Sequence, residues 1–206
     1  MTQCRLALGF ACASTLLAIA LPLAARENRR TTTTAKDLEF WQKLTPAIDA
    51  ILDSTALGPY HSKPATIWID RATDITGDGT PEALVTIRGA SSAHSQFFTL
   101  VRLHDGKPVP ALFRTPDGKT QSLLFLDGEG SAGRYGEELK LMNAQHAVFY
   151  GEFSAYGDKT DRCRASVYRW NPRTSVFEFS PALSTRYRRE YSREKSWKKI
   201  RAKYGF

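Results

Sequence analysis

Residues 65–87 read ATIWIDRATDITGDGTPEALVTI. Two short apolar runs, 65–70 (ATIWID) and 82–88 (EALVTIR), flank a stretch of acids, threonines and glycines. Branched and aromatic side chains pack well on a pleated surface, so both runs favour extended backbone. Gly77, Gly79 and Pro81 interrupt any regular element between them. The stretch predicts strand, tight loop, strand, because each run is too short for an ordinary helix.

The same pattern continues toward the C-terminus. Short β-type runs recur at 96–104, 109–114, 121–126, 137–142, 147–154, 164–170 and 174–179. Asp105-Gly106, Pro116-Asp117-Gly118, Asp127-Gly128 and Asn171-Pro172 punctuate them as turns. In 164–170, Ala165, Val167, Tyr168 and Trp170 compete for the inside, so alternation alone leaves the facing open. About nine short strands without intervening helices predict a mainly β fold. We expect an antiparallel sheet domain, sandwich-like or partial-propeller-like. The glycine-rich run 127–136 (DGEGSAGRYG) reads as a connection between strands. Its spacing lacks GxxxxGK[ST] and it has no strand-to-helix context for a phosphate cradle.

On the N-terminal side the period changes. Thr34 and Asp37 make a Thr-x-x-Asp capping pattern. Leu38, Trp41, Leu44, Ile48 and Leu52 follow at helical steps, with Pro46 expected to kink or split the helix. Gly58-Pro59 closes the segment.

The chain has 206 residues, 42% hydrophobic and 24% charged, a globular composition for one domain. Its formal charge of +8 is unevenly placed. Residues 186–206 hold nine Lys/Arg and two Glu, whereas 26–185 carry 19 of each sign. A neutral body gives no reason to expect a nucleic acid partner. Trp197, Ile200 and Tyr204 fall on one helical stripe of the basic tail. A docked C-terminal helix is one role for that tail. Attachment of Arg186–Lys203 to an anionic surface is another.

Residues 6–25 form a 20-residue apolar run behind Arg5. Position, alanine richness, Pro22 and the small Ala24-Ala25 pair favour a secretory signal over an anchor. Cleavage after Ala25, or after Ala20, leaves no transmembrane span and places the protein in the periplasm or outside the cell. Cys4 and Cys12 leave with the signal, and Cys163 alone makes no intramolecular disulfide. The expected organisation is signal 1–25, linker 26–34, a β-rich domain with its helix at 35–185, and the tail 186–206.

Chemistry concentrates in the loop. Asp74, Thr76, Asp78, Thr80 and Glu82 stand at alternate positions, so a tight turn brings their oxygens toward one centre. Ca²⁺ takes six to eight such oxygens, and three carboxylates suit its charge. Thr80 would offer its backbone carbonyl. DITGDGTPEALV resembles the calcium loop of FG-GAP/VCBS-type repeats, with the pattern D-x-[DN]-x-D-G-x-x-[DE] before an apolar strand. Asp74, Asp78, Gly79 and Glu82 match it; Thr76 stands where Asp or Asn is usual. The resemblance covers about fifteen of the 206 residues. It implies a structural Ca²⁺ in a loop joining two antiparallel strands. Val85 at the twelfth position departs from an EF-hand. A single copy does not build a propeller of many blades.

Enzyme signatures are weaker. Gly89-Ala90-Ser91-Ser92-Ala93 imitates a nucleophile elbow but precedes a strand-like run. His61, His94, His104 and His146 lack zinc spacing. Glu137, Glu138 and Glu152 show no spacing of an acid/base pair. Tyr135, Tyr150, Tyr156 and Tyr168 with Phe149 and Phe153 could form a sugar-stacking face, although packing explains them more simply. The expectation is therefore an exported, non-enzymatic binding or structural domain with one Ca²⁺ loop. Envelope polysaccharide or another envelope protein would be its partner. A polysaccharide-directed envelope hydrolase is the alternative from another class, and surface attachment through the tail a third.

Overall fold

The computed structural model describes residues 34–55, 67–87, 95–130, 135–154, 163–195 and 199. The signal, most of the linker, the 89–93 segment, His61, His94, Tyr156 and the Trp197/Ile200/Tyr204 stripe lie outside them.

Helix α1 (Ala35–Lys43) begins where the capping pattern places it. The Thr34 hydroxyl accepts from the Asp37 amide at 3.1 Å, and the Asp37 carboxylate accepts from the Thr34 amide at 3.2 Å. The chain turns at Leu44, and α2 (Thr45–Asp53) starts with Pro46 in its first turn, where the missing N–H costs nothing. One proline thus makes two helices from one periodic run.

Among the described residues eleven strands follow in one sheet: β1 (Ile67–Thr73), β2 (Glu82–Ile87), β3 (Ser95–His104), β4 (Lys107–Pro110), β5 (Phe113–Arg114), β6 (Thr120–Gln121), β7 (Phe125–Gly130), β8 (Tyr135–Met142), β9 (Ala147–Ser154), β10 (Arg164–Asn171) and β11 (Val176–Phe179). Helix α3 (Pro181–Glu194) closes the described fold. The basic segment from Arg186 thus continues a helix that starts at Pro181. The fold is mainly β with helices at both ends. Among the described residues, no helix is long and apolar enough to cross a membrane.

The strand order is β1-β2-β3-β7-β8-β9-β10-β11-β5-β6, with β4 also on β3. Every pairing is antiparallel except β11 with β5, which is parallel. That exception shapes the molecule. Residues 107–114 pair with β3 at one end and with β11 at the other. Between those ends the Ala111 amide donates to the Leu100 carbonyl at 2.8 Å, and the Phe177 amide to the Leu112 carbonyl at 2.9 Å. The sheet curls until its distant strands meet across this segment. Arg102 of β3 reinforces the seam, lying 4.9 Å from the Trp170 ring and donating to the Ser175 carbonyl at 3.2 Å.

Curling gives strands two buried faces. Inside lie Ile75, Leu84, Leu100, Ala111, Phe113, Phe125, Leu139, Val148, Tyr168 and Phe177. Outside, α1 and α2 cover β1 and β2 with Trp41, Ile48 and Leu52 against Ile69, Val85 and Ile87. On the opposite flank, α3 sets Tyr191 on Phe149, Phe153 and Val167. This explains β10: Val167 belongs under α3 and Tyr168 inside, so both apolar sets are satisfied.

The glycine-rich run joins two strands as expected, but the strands reach further into it than its composition suggests. Strand β7 extends through Asp127-Gly128 to Gly130, and β8 resumes at Tyr135. Gly128 pairs with Glu137 and Glu129 with Gly136. A Cβ on Gly136 would collide with the Gly128 carbonyl and press on the Phe153 ring. These glycines permit a close strand approach that their turn-like composition conceals.

Phe113 is fully buried and touches Phe125 and Tyr168 edge-on at 5.2 and 5.4 Å, with Phe177 stacked at 5.1 Å. Phe113→Ala should destabilise by about 3–5 kcal/mol. Urea unfolding of both proteins checks this, and a loss below about 1 kcal/mol would show that the seam does not depend on this ring.

Candidate functional site: the Asp74–Glu82 loop

Strands β1 and β2 pair from Thr73 with Glu82 up to Ile67 with Ile87, so the loop sits at the foot of the hairpin. Gly77 and Gly79 adopt φ of +81° and +90°, a left-handed region costly for other residues. Gly77 has a second reason: a Cβ there would strike the His146 imidazole.

The loop has an inner and an outer side. Ile75 points inward and is fully buried in the same cluster as Phe113. Thr76 and Glu82 are buried beside it, at 7% and 2% exposure. Glu82 accepts from the Ile75 amide at 2.9 Å, the Thr76 amide at 3.2 Å and the Thr76 hydroxyl at 3.0 Å. Its carboxylate therefore staples the loop's first half to the start of β2. Asp74 is half-buried, and Asp78 exposed. Asp74 accepts from the Gly77 amide at 2.7 Å through one oxygen and from the Gly79 amide at 2.9 Å through the other. Asp78 accepts from the Thr80 amide at 2.8 Å.

Three distant residues grip the loop. The Trp41 indole N–H donates to the Pro81 carbonyl at 3.0 Å. Asn143 Nδ2 donates to Thr73 Oγ1. His146, in a left-handed conformation with φ +49°, places Nδ1 3.2 Å from the Ile75 carbonyl, which requires that nitrogen to carry the proton. No spacing in the sequence marks these residues as partners of the loop.

The five oxygen-bearing side chains are thus divided. Thr76 and Glu82 bond each other inside, whereas Asp74 and Asp78 fold backbone amides around themselves. Among the described residues no three His, Cys, Asp or Glu side chains gather as a metal-holding group. The donor set still fits a hard cation in kind, since all its atoms are oxygens. A carboxylate offers about four lone-pair sites. The amide hydrogen bonds occupy two on Asp74 and one on Asp78.

A second polar cluster lies along the inner face, toward the ends of β8 and β9 remote from His146. Glu137 of β8 is directly opposite Glu152 of β9. Burial, then the Glu152 charge, raises the Glu137 carboxyl above its ordinary range. Tyr150 and Tyr168 share this face; burial and then nearby carboxylates hold the Tyr150 phenol well above its usual value. Arg164 approaches Glu152 at 3.8 Å. The described aromatics considered for a sugar-stacking face do not share one and pack instead, as the simpler reading expects. Phe149 and Phe153 turn outward under α3, and Tyr150 turns inward onto Phe125. His104 is exposed at the β3–β4 turn, 3.7 Å from Asp105.

Comparison with protein-family models, with curated proteins and with solved structures finds no match for this chain.

Glu82 makes the loop sensitive to pH. Burial raises its carboxyl to about 7, against the downward pull of the Ile75, Thr76 amide and Thr76 hydroxyl hydrogen bonds, with Asp78 adding to the rise. The folded state therefore holds the proton more tightly than the unfolded state. The stabilisation is complete below about 4.5, the group's ordinary value, and is lost as pH rises through about 7. Its size is on the order of 3 kcal/mol. Without metal, the unfolding free energy should fall between pH 5 and 8, and Glu82→Gln should remove most of that slope. Equal slopes in both proteins would contradict this role.

Proposed function

We propose that the chain is an exported, non-enzymatic binding domain whose Asp74–Glu82 loop takes Ca²⁺ as a structural ion. The observation that carries the reading is the outer side of the loop. Two carboxylates with lone pairs to spare stand there on a turn with two left-handed glycines, braced from within by Glu82. Asp74, Asp78 and the Thr80 carbonyl would hold the ion, and water would complete its shell. Thr76 and Glu82 would shape the loop or join through oxygens left over from their mutual bond. The ion would supply charge neutralisation between Asp74 and Asp78. The resemblance to FG-GAP/VCBS loops supports the same ion, and the apolar N-terminal run supports export. Envelope polysaccharide or another envelope protein is the partner that fits this compartment.

A second reading has its own observation. Facing strand neighbours hold their Cβ atoms about 4.5–5.5 Å apart, so the Glu137 and Glu152 side chains leave the sheet side by side on one face, and paired carboxyls flanking the scissile bond are what glycosidases use. Glu137, with its raised carboxyl, would be the acid and Glu152 the second carboxylate of a polysaccharide hydrolase. Release of reducing ends from envelope polysaccharide, abolished by Glu137→Gln and by Glu152→Gln, would favour it. Wild type that releases none removes it.

Thermal melting tests the calcium reading. At a hundredfold excess over Kd, Ca²⁺ should stabilise by about 2.7 kcal/mol. The midpoint should rise by several degrees, at roughly 2–4 °C per kcal/mol. Mg²⁺ should do less, because it dehydrates reluctantly. Asp78→Ala should abolish the shift. Thr76→Asp sets a second carboxylate against buried Glu82, so it should lower the midpoint in EDTA and regain part of the loss in Ca²⁺. Identical melting of wild type in EDTA and in excess Ca²⁺ would leave the loop as a turn only.

A further inference from the structure

Among the described residues, Lys36 on α1, Lys107 on β4 and Arg173 in the β10–β11 turn are exposed cations without a carboxylate partner, each on a separate element, whereas helix α3 gathers three such cations. In the β body, Arg114 meets Glu178 at 3.2 Å, Lys119 meets Asp117 at 2.9 Å and Lys140 meets Glu138 at 2.7 Å. Lys195 lies between Glu129 and Glu138 at 3.3 and 3.4 Å. Helix α3 differs. Ser184 and Tyr191 are buried against the sheet, with Leu183 and Tyr187 half-buried beside them. Arg186, Arg189 and Arg193, at i, i+3 and i+7, form one line along the opposite side, about 10 Å long. Arg188 is exposed beside the line, and Arg169 is exposed on the same outer face of β10.

The helix's two acids meet only one arginine of this crest. Glu190 pairs with Arg186 at 3.2 Å, in an exposed contact worth little. Glu194 lies at the flank, 3.9 Å from Lys140. Among the described residues, Arg188, Arg189 and Arg193 have no carboxylate partner. The tyrosines that could stack a base or a sugar ring face inward, Tyr187 at 6.0 Å and Tyr191 at 5.4 Å from the Phe149 ring. Among the described residues the ridge carries no outward aromatic, whereas sites for single-stranded nucleic acid use stacking. The ridge suits a plane of phosphate groups, which guanidinium binds in bidentate fashion.

We infer that the arginine crest of α3 is a docking surface for an anionic phospholipid membrane, with the helix lying along the headgroups and no side chain inserted. Charge complementarity carries the contact. Binding should therefore be reversible, dependent on lipid charge and weakened by salt. It is independent of the calcium loop, and neither reading's failure affects the other.

The test is co-sedimentation of the full chain with vesicles. One set contains equal parts phosphatidylglycerol and phosphatidylcholine, and the other phosphatidylcholine alone. The crest variant is Arg188→Gln/Arg189→Gln/Arg193→Gln. A control variant, Lys36→Gln/Lys107→Gln/Arg173→Gln, removes equal charge from exposed residues elsewhere. All six sites are exposed, so both variants should melt within a few degrees of wild type. Wild type should bind the anionic vesicles, ignore the neutral ones and be released by about 0.5 M salt. The crest variant should lose between about tenfold and a hundredfold in affinity, and the control should stay within about threefold of wild type. Equal losses in both variants, equal binding to neutral vesicles, no binding to either, or binding to heparin or RNA without binding to vesicles would each overturn the inference.

Discussion

The stacking of Phe113 on Phe177 holds together strands that lie far apart in the sequence. Strand β5 is only two residues long, and its parallel pairing with β11 is too short to persist on hydrogen bonds alone. Burial of Phe113 among Phe125, Tyr168 and Phe177 makes that pairing stable. Once the seam is held, the sheet curls, an interior exists, and two outer faces remain for the helices. The loop depends on the same interior, because Ile75 is buried in it and Leu84 of β2 lies there too.

Much of this was legible from local pattern. The capping pattern at Thr34, the proline split at Pro46, and the hairpins β1–β2, β8–β9 and β10–β11 follow from neighbouring residues and their turns. What escaped has physical causes. The pairing of β3 with β7 and of β5 with β11 requires distant segments to meet, and nothing in a strand's own sequence names its partner. Gly128 and Gly136 sit in strands because the backbones approach closely there, a reason that composition hides. The contest between Val167 and Tyr168 was real, since both faces of β10 are covered.

The loop shows the same division. The alternation Asp74, Thr76, Asp78, Thr80, Glu82 identifies a region rich in oxygen. It does not say that Thr76 and Glu82 turn inward and bond each other. That choice follows from burial of Ile75, which draws its neighbours into a low-dielectric site where Glu82 must find donors. Trp41 and His146 reach the loop across 40 and 71 residues. The Glu137–Glu152 pair is a further case: strand parity puts both on one face, but only the β8–β9 register sets them opposite each other.

The central claim is that the loop, braced by Glu82 and its distant partners, offers Asp74 and Asp78 to a calcium ion. Isothermal titration calorimetry measures this most directly, with Ca²⁺ carried to about 10 mM against metal-free protein at neutral pH. The account predicts saturable heat with one ion per chain, abolished in the folded Asp74→Asn/Asp78→Asn variant. Heat in wild type no greater than dilution across that range, or saturable heat retained in the double variant, would contradict it.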